Sequence, residues 1–207
     1  MPTSVFFREW DDWHAIEHSA IDHVRGSVLD IGCGAGPHAV ELTKRGHEVT
    51  VIDTSPGAVE VCRRRGVVDG FAGTVEDYAA GIDRRYETVL MMGHNLALLE
   101  SRERASVVLA AVTTLAAPGA VIIGTNLDPY QSDDVQHLAY QERNRSLGRM
   151  AAQIRMRVRY RELATEWFDY LFMSRGELEA LIAGSGWIVE RFEAEAPSYL
   201  AVLRLEG

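Results

Sequence analysis

Val28-Leu29-Asp30-Ile31-Gly32-Cys33-Gly34-Ala35-Gly36-Pro37-His38 is the stretch on which the reading of this chain turns. A short apolar run ends in a carboxylate and breaks into three glycines at alternate positions, the pattern of a strand feeding a ligand-binding turn. Glycine suits a backbone that takes positive φ or comes close to a ligand. The helical pattern that follows, Ala39-Val40-Glu41-Leu42, aims its first N–H groups back at the turn. A nucleotide-like ligand is the expectation.

Two residues narrow the ligand. A dinucleotide fingerprint, G-x-G-x-x-G, would put its third glycine where Pro37 stands, and a carboxylate as close as Asp30 would repel a pyrophosphate. Both disfavour NAD, and with it an NAD-dependent oxidoreductase. A ligand with a ribose, no phosphate and a positive charge is instead drawn to Asp30, and S-adenosylmethionine, with its ammonium and sulfonium, is such a ligand. Here the sequence resembles the class I S-adenosylmethionine-dependent methyltransferases, whose first motif is an acidic residue followed by G-x-G-x-G, in this chain Asp30 with Gly32, Gly34 and Gly36. The resemblance runs from about Trp10 to the C-terminus. Pro37 departs mildly from the family pattern, and proline is well tolerated in a first helical turn. The resemblance implies an α/β, doubly wound fold: a mostly parallel seven-stranded sheet with an antiparallel C-terminal edge, an N-terminal helix and an inserted β-hairpin. It also places Asp30, Gly32, Cys33 and Gly34 around the cofactor, S-adenosylmethionine, with S-adenosylhomocysteine as product.

The 207 residues, 47% hydrophobic, suffice for one domain with a full core. A single domain spanning 1–207 is expected, with a lid over 1–26 and a substrate-side insertion and hairpin over 126–173. Acidic residues outnumber basic ones 30 to 21, for a formal charge of -9, which disfavours attraction to a nucleic-acid backbone and suits a small-molecule partner. Two cysteines are too few for a disulfide framework or a four-thiolate metal site and suit a reducing cytoplasm. No stretch approaches the roughly 20 apolar residues of a membrane span, and no signal-like N-terminus is present. A cytoplasmic protein, without membrane contact and monomeric or homodimeric, is expected.

Along the chain, Trp10, Trp13, Ile16, Ala20, Ile21 and Val24 recur at helical spacing within 6–24, which predicts an amphipathic helix ended by Gly26. In the resembled family such a segment covers the cofactor site, which makes Trp10 and Trp13 candidate substrate contacts; the same spacing also serves plain core packing. Asp11, His14, His18 and Asp22 would share one face of this helix. That spacing suits a divalent metal but equally a solvated face, and no metal is assigned. Residues 48–53 read as a second strand ending in Asp53, about twenty residues beyond the glycine turn, where a carboxylate accepts from both ribose hydroxyls. Thr54 lies beside it, in a run that also offers helix-capping chemistry.

Residues 67–72 form a weak third strand. In the family the turn after it borders the adenine, so Thr74, Val75 and Glu76 are candidate cofactor contacts, with Asp77 beside them. Residues 86–91 read as a buried fourth strand leading into Met92, Gly93, His94 and Asn95. Ligands of open α/β sheets lie beyond the carboxyl ends of the strands, so Met92 and Gly93 are candidate cofactor contacts, Asn95 a substrate contact and His94 a general base. Residues 101–117 predict a helix ended by Pro118-Gly119, and 120–124 a fifth strand. Beyond it, 131–149 reads as polar and irregular; in the family such an insertion bounds the acceptor pocket, which makes it, with Asn126, Asp128 and Tyr130 just ahead of it, the candidate substrate region. Residues 154–161 alternate arginine with apolar side chains as an exposed strand, paired with 165–172. The arginine stripe would serve anion binding or protect an edge strand. A helix over 175–183 and strands over 187–194 and 199–205 complete the family's C-terminal arrangement.

These features point to a methyltransferase acting on a small molecule, of the kind found in secondary metabolism. The alternatives are a cofactor-binding protein without methyl transfer and a nucleic-acid methyltransferase. The adenine-modifying kind would carry an Asn-Pro-Pro-aromatic signature after the fourth strand, which is missing here. His14 and His137 stand behind His94 as further candidate bases.

Overall fold

In the computed structural model, residues 3–160 and 162–207 are described. Met1 and Pro2, the start of the expected lid, and Arg161, the last arginine of the stripe, lie outside the described residues.

Strand β1 (Val28–Ile31) is buried at every position, which explains why its residues other than Asp30 are all apolar rather than alternating. It lies at the centre of the sheet, between β2 (Val49–Asp53) and β4 (Tyr86–Met91), parallel to both. Outward from β2 lies β3 (Asp69–Ala72), also parallel. On the other side β5 (Ala116–Leu127) runs parallel to β4, and the two closing strands, here β11 (Ser198–Leu205) and β10 (Trp187–Glu195), add antiparallel. The order is β10-β11-β5-β4-β1-β2-β3, a seven-stranded, mostly parallel sheet with an antiparallel edge.

Successive residues of the strands feed two separate cores. Leu29, Ile31, Val89 and Met91 pack on the side of α5 (Arg102–Leu115) and α7 (Arg175–Ile182). Val28, Leu90, Val121 and Ile123 pack with Ile16 and Ala20 of α1 (Ala15–Asp22), Ala39 and Leu42 of α2 (Pro37–Lys44), and Cys62 of α3 (Pro56–Arg64). Helices on both faces make the sheet doubly wound. On α5 the buried residues Ala105, Val108, Leu109, Val112 and Leu115 follow helical spacing, so one stripe faces the sheet.

Several boundaries differ from expectation. The predicted N-terminal helix is broken into two 3₁₀ turns, Thr3–Phe7 and Trp10–Asp12, followed by α1. The break has a local cause: the backbone N–H of His14 donates to Glu17 Oε2 at 3.0 Å, which starts α1 at Ala15 and leaves Trp13 extended. Asp11 and His14 therefore lie outside the helix that carries His18 and Asp22, and the four do not share one helical face. Among the described residues no group of three or more His, Cys, Asp or Glu side chains is arranged to hold a metal. The turn after β3 opens directly into α4 (Val75–Gly81), with Thr74 and Asp77 forming its capping box. Strand β5 begins at Ala116, ahead of Pro118-Gly119, with a register irregularity against β4 accommodating them.

The region expected to be irregular, 131–149, contains α6 (Val135–Ser146), capped by the Asp134 carboxylate accepting from the N–H groups of Gln136 and His137. Its buried residues are Gln141 and Asn144, which donate to the carbonyls of Pro129, Ala151 and Gln153, so no apolar stripe marks it. The expected hairpin is present as two short antiparallel ladders: β6 (Gln153–Met156) with β9 (Phe168–Leu171), and β7 (Arg159–Tyr160) with β8 (Leu163–Ala164). Among the described residues no helix is long and apolar enough to cross a membrane.

Candidate active site

The glycine turn sits at the carboxyl end of β1. Gly32 and Gly36 both take left-handed φ values, 74° and 71°. A side chain at Gly32 would also strike Asn95 Nδ2, 2.6 Å from the ideal Cβ, and one at Gly36 would strike Cys62 Sγ at the same distance. α2 starts directly at Pro37, with Gly36 as its cap. The turn is held from two sides. Gly34 N–H donates to Asp53 Oδ2 at 2.9 Å, and Ser55 N–H to Asp53 Oδ1 at 2.8 Å, so Asp53 joins the tip of β2 to the turn. From below, Asn95 Nδ2 donates to the carbonyls of Gly32 and Ile31 at 2.8 and 3.2 Å.

Asp30, under the turn, is buried, and its Oδ2 has no partner among the described residues. Burial pushes its carboxyl up to about 6; nearby His38 opposes this and the Asp53 charge adds to it. A carboxylate that carries such a penalty is stabilised by an incoming cation. The orphaned oxygen and the cradles at Gly32 and Gly36 fit a cationic nucleoside at this turn. The same charges oppose a pyrophosphate.

The N-terminal segment covers the turn, with Phe6 3.7 Å from where a Cβ of Gly34 would stand. It is anchored by Glu17, which accepts from Arg8 Nη2 at 2.9 Å and lies 3.1 Å from His38 Nε2 on α2. Burial alone would raise the Glu17 carboxyl. Hydrogen bonds from His38 and the His14 backbone, with the charges of His38 and Arg8, outweigh it and hold the group down at about 2. Trp13 is buried with its ring 4.7 Å from that of His38, and its Nε1 has no partner among the described residues. Trp10 stacks under the Arg45 guanidinium, 3.9 Å from the ring centroid, and edge-on to His18.

At the end of β4, Met92 is buried and Gly93 has open space around it. His94 takes a left-handed φ of 68°, unusual for a residue with a side chain. Its backbone N–H donates to Thr125 Oγ1 at 2.9 Å and its Nε2 lies 3.0 Å from Ser198 Oγ. Burial pushes the imidazole below its ordinary value of 6.5, with the Glu17 charge working against it. The Tyr170 hydroxyl, delivered by β9, donates among the His94 carbonyl at 2.9 Å, Asn95 Oδ1 at 3.2 Å and the Gly93 carbonyl at 3.5 Å. Phe172 stands edge-on to both Tyr170 and His94, at 5.5 and 6.4 Å between centroids. A half-buried aromatic wall thus flanks the histidine.

The fold brings Asp30, Gly32, Cys33, Gly34, Asp53, Met92, Gly93, His94 and Asn95 to the ends of the central strands. Thr54 is exposed beside Asp53. Thr74 caps α4, Val75 is turned into the core, and Glu76 pairs with Arg104 of α5. Asn126 is fully buried: its Nδ2 donates to the Leu171 carbonyl at 3.1 Å, which ties β5 to β9. The Tyr130 hydroxyl donates to Glu177 of α7 at 2.6 Å. Sequence reasoning missed Glu17, His38, Tyr170, Phe172 and Ser198. Glu17, Tyr170, Phe172 and Ser198 reach the site from elements distant in the chain, whereas His38 stands in the first turn of α2, directly after the glycine turn; the one local signal for Glu17 was its spacing from His14, which suits a cap.

Comparison with known proteins gives a consistent result. A family model described as "Methyltransferase domain" matches residues 28–119. The ubiquinone biosynthesis O-methyltransferase of Xanthomonas oryzae pv. oryzae is 29% identical over 127 residues, covering 56% of this chain and 52% of that protein. The 2-heptyl-1-hydroxyquinolin-4(1H)-one methyltransferase of Mycobacteroides abscessus is 33% identical over 104 residues, 47% of this chain and 44% of that one. The chain thus spans about half the length of these curated relatives. Among solved structures, a SAM-dependent methyltransferase from Bacteroides fragilis in complex with S-adenosyl-L-homocysteine superposes with a TM-score of 0.83 at 26% identity, covering 100% of this chain and 83% of that one.

Proposed function

We propose, because this chain belongs to the class I S-adenosylmethionine-dependent methyltransferases, that it methylates a small, flat acceptor bearing an ionisable hydroxyl on an aromatic ring. The observation that carries the cofactor half is Asp30, buried beneath the glycine turn with an oxygen left without a partner among the described residues. When bound, S-adenosylmethionine supplies an activated methyl group on a positively charged sulfur.

The residues of the chain then have defined tasks. Asp30 faces the positive charge, and Asp53, already fixed by Gly34 and Ser55, offers its remaining lone pairs to the ribose. The N-terminal segment, pinned through Glu17, excludes water from the turn, so that position and desolvation provide most of the rate. His94 accepts the acceptor's proton. In the tautomer whose Nε2–H donates to Ser198, the lone pair lies on Nδ1, and burial favours the neutral ring. Tyr170 and Phe172 provide the apolar wall for a flat ring. Two further points support an oxygen acceptor of this kind: the relatives are named for an O-methyltransferase of ubiquinone biosynthesis and a hydroxyquinolinone methyltransferase, and the formal charge of -9 opposes a nucleic-acid partner.

The test is transfer of labelled methyl from S-adenosylmethionine to a panel of catechols, hydroxyquinolines and anilines, with protein and RNA acceptors alongside. Label on a phenolic oxygen supports the proposal. Label on protein or RNA, with none on any small acceptor, overturns it.

A further inference from the structure

The chain's two cysteines, 33 and 62, stand far apart in sequence and adjacent in space. Their Sγ atoms are 3.6 Å apart. Cys33 lies inside the glycine turn, and Cys62 lies on α3, packed into the gap left by the missing side chain of Gly36. Both thiols also point at the Gly34 carbonyl, at 3.7 Å from Cys33 and 3.5 Å from Cys62. The N–H of that same Gly34 is the one held by Asp53. The sulfur pair is thus coupled to the clamp that fixes the turn.

We propose that Cys33 and Cys62 are an oxidisable dithiol which a hydroperoxide closes into a disulfide, deforming the glycine turn and suppressing cofactor binding. The binding half rests on the S-adenosylmethionine reading above. Bond formation at about 2.05 Å requires the sulfurs to approach by about 1.5 Å. Interiors are close-packed, and this movement has to be absorbed by the turn or by α3. A shift of the turn moves Gly34 against Asp53, and a shift of α3 pulls on its cap Ser55, whose N–H the same Asp53 holds.

Cys62 is the first nucleophile. The hydrogen bond it shares with Cys33 draws its thiol down, helped by Arg65, whose Nη1 is fixed 2.6 Å from the Ala35 carbonyl; burial, Asp30 and Asp53 oppose this. Cys33 is pushed up by its hydrogen bond with Cys62, by burial and by Asp30. The Cys62 thiolate attacks one oxygen of hydrogen peroxide and the O–O bond breaks. The departing hydroxide takes the proton that Cys62 lost and becomes water, leaving a sulfenic acid. Cys33 Sγ then attacks the Cys62 sulfur. The S–O bond breaks, the S–S bond forms, and the hydroxide leaves with the Cys33 proton as a second water. Each sulfur gives up one electron and the peroxide takes two.

The experiment oxidises the whole chain with hydrogen peroxide and reads the intact mass, a non-reducing peptide map and calorimetric titration with S-adenosylhomocysteine, before and after dithiothreitol. Cys62→Ala and Cys62→Ser are run alongside. The expected result is loss of two hydrogen masses, a cross-linked peptide containing Cys33 and Cys62, and affinity weakened at least about tenfold and restored by reduction. Both variants keep their affinity through the same treatment. No cross-link at full peroxide consumption, a cross-link with unchanged affinity, or equal loss in the variants would overturn the proposal. If the reduced chain does not bind S-adenosylhomocysteine, the cofactor reading fails, and the binding half with it, while the mass still decides the dithiol.

Discussion

Asp30→Asn should make the ligand-free protein more stable, and the gain should depend on pH in a way set by one buried group. An ordinary aspartate carboxyl sits at 3.8 and that of Asp30 at about 6, because burial disfavours its charge. A group whose folded value is raised contributes stability below its unfolded value and loses it as pH rises through the folded one. At about 1.36 kcal/mol per pH unit, the penalty on the folded state is about 3 kcal/mol at pH 8, about half that at pH 5, and close to zero below about pH 4. Asp30 is 2% exposed, so solvent does not screen this away. Asparagine keeps the shape and removes the charge. Its stability relative to wild type should rise by about 2.5 kcal/mol between pH 4 and pH 8, measured by urea unfolding at several pH values. Saturating S-adenosylhomocysteine at pH 8 should then reverse the order, because its ammonium offsets the wild-type charge and has no counterpart in the variant. A stability difference that is flat with pH, or an Asp30→Asn protein less stable than wild type at pH 8 than at pH 4, would refute the argument.

Three other perturbations follow from the same structure. Glu17 is held at about 2, below its ordinary 4.5, so its contribution is present above 4.5 and is lost as pH falls toward 2; Glu17→Gln should cost up to about 3 kcal/mol at pH 7 and remove the corresponding loss of wild-type stability during acid unfolding. Tyr170→Phe removes the hydroxyl that binds the His94 carbonyl, and should cost about 1 kcal/mol while raising amide exchange over residues 94–96. With a phenolic acceptor in hand, His94→Gln should lower kcat by about 100-fold and abolish the acidic limb of the pH profile, which in wild type lies below 6.5.

What the sequence reveals of this fold follows how local each determinant is. The glycine turn, the apolar run of β1 and the placement of Asp53 are written in contiguous residues and were legible. The doubly wound sheet was implied by the resemblance that this turn carries, and of its buried parallel strands β4 was legible by itself as a continuous apolar run. α6 was not, since Gln141 and Asn144 fix it through carbonyls on neighbouring segments and leave no periodic stripe. The break at Trp13 was hidden because Trp10 and Trp13 keep helical spacing while Glu17, through the His14 N–H, restarts the helix. In the site, the position of Asn95 after β4 was legible but its task was not: expected as a substrate contact, it holds the turn. Its hydrogen bonds to Ile31 and Gly32 depend on a neighbouring strand. Tyr170 and Ser198 come to His94 from 76 and 104 residues away, and no local pattern announces them.

The central claim, a turn built for a cationic nucleoside beside Asp53, is tested most directly by calorimetric titration of S-adenosylhomocysteine into wild type and Asp53→Ala at pH 8, with NADH as control. The account predicts one-to-one binding to wild type, at least about tenfold weaker binding to Asp53→Ala, and no heat with NADH. Equal binding to both proteins, or NADH binding more tightly than S-adenosylhomocysteine, would contradict it.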